Sequence, residues 1–226
     1  MSHASDYLPW AKEMLVVCAH PDDESFGLGA VIAAFSDRGT QVRVLCFTHG
    51  EASTLGETSR PLGDVRTEEL NAAAKVLGIH DVELFSYPDG HLDDVPLGEL
   101  VRLINDAKAS AEMLLVFDKG GITGHPDHSH ATAAALLAAK LSTLSVLAWV
   151  LPEVVAARLN AEFETTFVGC PAAEVDIVIQ VDRSRQSAAI ACHASQSSDN
   201  PVLRRRLELL GTLEHLRWLT GEASDR

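Results

Sequence analysis

Residues 14–19 read MLVVCA, an apolar run of strand length that ends abruptly in HPDDESFGLGA. A run that short and apolar at every position forms a strand buried on both faces, which requires strands beside it and helices above and below. Residues 31–36 then carry a helical pattern, Gly39 stops it, and QVRVLCFT at 41–48 begins a second strand. Strand, helix and strand joined by tight turns is the sequence form of a parallel βαβ unit. The alternation continues as helix 65–77, strand 82–87, helix 97–109, strand 113–118, helix 130–141 and strands 145–151 and 174–181. Residues 49–64 read as a long loop and 152–171 as a helix and connector; two helices, 184–194 and 202–219, are expected to close the chain. The expected architecture is a single doubly wound α/β domain over residues 1–226, with a mostly parallel sheet flanked by helices.

A length of 226 residues suits one domain with a full core, and with 5% aromatic residues that core must be built from Ala, Val, Leu and Ile. The net charge of −14 argues against a sequence-independent grip on nucleic acid or an anionic membrane. Cys18, Cys46, Cys170 and Cys192 show no CxxC spacing, so a disulfide framework is not expected. The first residues lack a basic segment followed by an apolar stretch and a cleavage site, and no run of about 20 apolar residues exists. A cytoplasmic location without a membrane span is expected.

An open parallel sheet places its site beyond the carboxyl ends of its strands, and the polar clusters of this chain lie there. His20-Pro21-Asp22-Asp23-Glu24 sets three carboxylates and an imidazole directly after a buried strand, where their repulsion calls for a counter-ion. His20 and Asp23 are close enough to reach one ion across a turn. A second cluster, His125-Pro126-Asp127-His128, follows strand 113–118 and a glycine-rich turn. A histidine from it would complete a three-ligand set with a fourth position open, as in catalytic zinc sites. Asp22 would then stand beside the ion, placed to take a proton from a water whose pKa falls to about 7. Each cluster alone has a plain reading, HPDD as a helix-capping turn and HPDH as a surface loop. Both together, at two strand ends of one domain, favour a metal site.

AHPDDE followed by HPDH resembles the PIG-L/LmbE-like de-N-acetylases, a likeness that runs over roughly residues 14–197. The resemblance implies a Rossmann-like fold and zinc, or ferrous iron in its place, held by His20, Asp23 and His128. It also implies Asp22 as general base and a protonated His125 as oxyanion donor, tuned by Asp127. Looser matches place three residues at the substrate. Glu51 lies in a stretch similar to the family's TxGE, Arg66 with Glu69 is similar to its RxxE, and Pro88-Asp89-Gly90 resembles a loop whose aspartate binds a sugar hydroxyl. His193-Ala194-Ser195-Gln196 resembles an HxSQ element, and Thr123 stands where some members carry a mobile tyrosine. The plain alternatives are a helix-surface pair for Arg66 and Glu69, a generic turn at Asp89 and a structural histidine at His193.

The implied activity is metal-dependent removal of an acetyl group from a small N-acetylated amino-sugar-type substrate, giving acetate and a free amine. The rivals are an amidase for a thiol conjugate or glycopeptide, a nucleotide-binding module and a non-catalytic metal-binding protein. Acidic groups where a phosphate would sit disfavour the second, and the third leaves Asp22 and His125 without a task. No nucleic-acid partner is expected, and a homo-oligomer is left open.

Overall fold

A computed structural model of the chain describes residues 5–56 and 58–221, so the extreme ends of the expected domain lie outside the described residues. The first half runs β1 (Glu13–Cys18), α1 (Asp23–Phe26), α2 (Gly29–Asp37), β2 (Gln41–Thr48), α3 (Leu62–Leu77), β3 (Asp81–Tyr87), α4 (Leu97–Ala107) and β4 (Met113–Phe117). The second runs α5 (Pro126–Ser142), β5 (Ser145–Trp149), α6 (Glu153–Phe163), β6 (Ile177–Gln180), α7 (Ser184–Cys192), α8 (Ala194–Ser197), α9 (Pro201–Leu210) and β7 (Leu213–Thr220). The strands form one sheet in the order β3-β2-β1-β4-β5-β7-β6. β1 pairs in parallel with both β2 and β4, and the antiparallel pairings are the two that β7 makes, with β5 and β6.

Alternate residues of the central strands feed two separate cores. Val16, Cys18, Val44 and Leu115 join one apolar layer with residues of α2 and α3, whereas Leu15, Val17, Leu45 and Leu114 join the other with residues of α4 and α5. Burial on both faces is why the run at 14–19 shows no polar alternation. Ala131, Ala134, Ala135, Ala138 and Ala139 are all buried, so α5 meets the sheet through small side chains.

Two expectations need correction. Residues 202–219 are not one helix: α9 ends at Leu210, Gly211 turns the chain at φ 56°, and β7 inserts between β5 and β6. Glu214 and Leu216, two residues apart, are both fully buried, a strand period masked in the sequence by the leucines of α9. α5 also starts at Pro126 rather than residue 130, because proline suits the first helical position and His125 caps it. HPDH is therefore the helix's first turn rather than a loop before it.

Candidate metal centre and active site

The chain leaves β1 toward β2 and leaves β4 toward β5, so the sheet order reverses between β1 and β4. That reversal opens a crevice at the carboxyl ends of the two strands. His20, Asp22 and Asp23 follow β1, His125 and His128 open α5 beyond β4, and Asp89 follows β3; all six line one cavity of about 540 Å³.

Asp22 occupies a left-handed conformation, φ 115° and ψ −23°, that costs a non-glycine residue about 1–3 kcal/mol. Neighbouring groups hold it there. Its N–H donates to Glu24 Oε2 (2.9 Å), and Arg66 Nη2 donates to its Oδ2 (2.8 Å). Glu24, fully buried, meets the equally buried His193 through Oε1 and Nε2 at 2.7 Å. Arg66 also donates to the carbonyls of Pro21 and of Gly50 (the latter at 2.6 Å). Gly50 has φ 63°, and a Cβ there would lie 2.2 Å from Arg66 Nη1, so glycine is what allows the guanidinium in.

The donor atoms of His20, Asp23 and His128 converge. His20 Nδ1 lies 3.0 Å from His128 Nε2, His128 Nε2 lies 3.1 Å from Asp23 Oδ1, and His20 Nδ1 lies 4.0 Å from Asp23 Oδ2. Ligands about 2.0–2.1 Å from a tetrahedral zinc would be about 3.3 Å apart, within this range. The outer contacts leave the right atoms free. His128 Nδ1 faces the Gly121 carbonyl (3.1 Å) and Thr123 Oγ1 (3.0 Å), so Nε2 carries the free lone pair. His20 Nε2 faces Asp89 Oδ1 (2.9 Å) and Asp127 Oδ2 (3.1 Å), which leaves Nδ1. Such backing is characteristic of metal-binding histidines, and the residues fit a divalent cation. Asp23 Oδ2 also accepts the N–H groups of Ala19 (3.0 Å) and His20 (2.9 Å).

The titratable groups of the site respond to burial and to one another in different directions. Burial opposes protonation of His20, but its hydrogen bonds to Asp127 and Asp89 prevail and push it up to about 10. Burial raises Asp22 to about 6 against the pull of Arg66. Burial lowers His125, and the neighbouring His20 and His128 lower it further.

Several sequence expectations land differently. Asp127 does not brace His125 with its carboxylate: its oxygens take His20 Nε2 and the N–H groups of Gly90 (2.8 Å) and Leu92 (3.0 Å). Its own backbone N–H donates to His125 Nδ1 at 3.2 Å, which leaves Nε2 to carry the proton of a neutral ring. Arg66 is not paired with Glu69, whose carboxylate accepts from Ser195 N (2.8 Å) and Oγ (2.7 Å). Glu51 is absent from the cavity lining and instead accepts Asp89 N–H at 3.0 Å. The Thr123 hydroxyl contacts His128, as a supporting group. Sequence reasoning missed the part of Glu24, although it belongs to the same AHPDDE run, and missed Arg206 and Trp149, which also line the cavity.

A Rossmann-like sheet with a His-Asp-His cluster and a neighbouring carboxylate at its switch point defines a class of proteins. The sequence profile of the GlcNAc-PI de-N-acetylase (PIG-L) family matches residues 15–139, and the chain belongs to that family. It is 30% identical over 217 residues to a Bacillus anthracis protein named "Probable N-acetyl-alpha-D-glucosaminyl L-malate deacetylase 2", covering 93% of each chain. The fold matches N,N'-diacetylchitobiose deacetylase from Pyrococcus horikoshii with a TM-score of 0.68 at 22% identity, over 92% of this chain and 84% of that one. It also matches GalB, the 4-carboxy-2-hydroxymuconate hydratase of Pseudomonas putida, with a TM-score of 0.65 at 20% identity, over 95% and 99%. The fold therefore serves more than one reaction, and the site must decide between them.

Proposed function

We propose that the chain is a zinc-dependent N-deacetylase that hydrolyses the amide of an N-acetylated amino-sugar-type substrate. The observation that carries this is the convergence of His20, Asp23 and His128 with Asp22 directly beside them on one cavity wall. The relatives named for deacetylation of glucosamine derivatives support the amide as the bond broken. A divalent cation on the three ligands supplies Lewis-acid polarisation of the acetyl carbonyl and a water acidic enough to be deprotonated near neutral pH.

The rest falls to the chain's own residues. Asp22, fixed by Arg66 and Glu24, accepts the proton of the attacking water as the new C–O bond forms. His125, a neutral ring with its proton on Nε2, donates to the developing oxyanion and needs no positive charge to do so. The proton on Asp22 then passes to the departing nitrogen as the C–N bond breaks, giving acetate and a free amine. Asp89 and Asp127 hold His20, and Glu51 holds the Asp89 loop. Asp89 also lines the cavity, where a sugar hydroxyl would meet it.

The reading treats the chain as one catalytic domain. A cytoplasmic location is part of it. No described helix is long and apolar enough to cross a membrane. Metal content by elemental analysis, with acetate release from N-acetylglucosamine glycosides before and after chelation, tests the whole. Metal-free protein of full activity would end the proposal.

A further inference from the structure

Two guanidinium groups line the cavity, and they are in opposite situations. Arg66 is neutralised by Asp22. Arg206, on α9, is 7% exposed and has no carboxylate within ion-pair distance among the described residues. Glu214, which pulls on it most strongly, ahead of Asp22 and Asp23, is itself bonded to Trp149 Nε1 and Arg183. Arg206 lies over the Trp149 ring, 5.5 Å from its centroid, and Nη2 donates to the Phe26 carbonyl at 2.9 Å. Nε has no partner, and Nη1 makes no hydrogen bond among the described residues. A charge so buried and so little compensated is costly, and burial accordingly pushes the group's pKa down. It persists in a cavity that carries, besides its acids, histidines and amides, the apolar side chains Phe26, Phe117, Ile122, Trp149 and Leu203, with Trp149 directly against the guanidinium.

Resting on the amidase reading above, we propose that Arg206 is the anchor of a second subsite in this cavity, which receives a carboxylate carried by the substrate. The apolar surroundings weaken competition from water and strengthen a charge-assisted bond. The few donors left over, on Nε and Nη1, suit a singly charged group. A phosphate dianion would need more donors and would face stronger repulsion from Asp22, Asp23 and Asp89 on the same cavity. The carboxylate can belong either to the group joined to the sugar or to the acyl chain, and substrates distinguish the two.

Zinc-loaded protein would be assayed for free-amine release from two matched pairs. The carboxymethyl glycoside of N-acetylglucosamine is set against its methyl glycoside, and N-succinyl-glucosamine methyl glycoside against the N-butanoyl compound. The anionic member of one pair should have the higher kcat/KM by about tenfold or more, and the winning pair identifies the source. In R206M that ratio should fall to near one, and R206K should retain part of it. Absence of any anionic preference in the wild-type protein overturns the subsite without recourse to a variant, and so does a preference that survives in R206M. Should no compound be hydrolysed, the amidase reading fails. The subsite is then judged on equilibrium binding of carboxymethyl against methyl glucosaminide, where the same ratio must appear and must depend on Arg206.

Discussion

Replacing Arg66 with methionine separates two accounts of this residue. As a substrate contact, the role expected from the RxxE resemblance, its loss raises KM and leaves kcat, metal content and stability alone. The structure gives it different work: it is 3% exposed and bonds Asp22, Gly50 and Pro21 from one guanidinium. Removing one partner of a buried ion pair costs about 3–5 kcal/mol. The Asp22 side chain is 17% exposed, so water compensates part of the loss and the low end, about 3 kcal/mol, applies. For a chain of this length that lowers Tm by roughly 6–12 °C, and a stability of about 5–15 kcal/mol leaves the protein folded. Asp22 then loses the contact that aims its carboxylate, and a displacement of about 1 Å costs about 10² in rate. The assay is kcat and KM on zinc-loaded R66M, with Tm and metal content from the same preparation. A raised KM with unchanged kcat and Tm would refute the clamp and restore the substrate contact.

Asp22→Asn should keep its metal and lose about 10²–10⁴ of kcat, since an amide cannot accept the water's proton; loss of metal would instead make Asp22 a ligand. Asp127→Asn should weaken metal affinity by about 10–100-fold, because its carboxylate backs His20 rather than His125. Normal zinc affinity with an altered pH–rate profile would return Asp127 to His125. Burial works to lower His193, but the Glu24 carboxylate prevails and raises it above its usual 6.5. Its stabilisation is therefore complete below the unfolded value and lost as pH rises through the raised one. The Tm advantage of wild type over H193Q should shrink across that alkaline interval, and a difference independent of pH would show that the pair carries no linked proton.

The β1–α2–β2 unit was legible because apolar runs of strand length report burial directly, whatever they pack against. The ligand-type residues were legible because carboxylates and histidines crowded after a buried strand have few uses other than holding a cation. The partners of those residues were not legible. Asp127 lies two positions from His125 in sequence, yet its carboxylate belongs to His20, 107 residues away. Arg66 shares a helix with Glu69 but is bound to Asp22, 44 residues earlier. A hydrogen bond is decided by distances of a few tenths of an ångström between side chains on different elements, which neither spacing nor composition encodes. β7 escaped for the same reason, because its leucines suit a helix as well as a strand until the open edge of β5 supplies the pairing. The unpaired charge on Arg206 likewise became visible only when folding had buried it and given the nearby carboxylates Glu214 and Asp22 to other arginines.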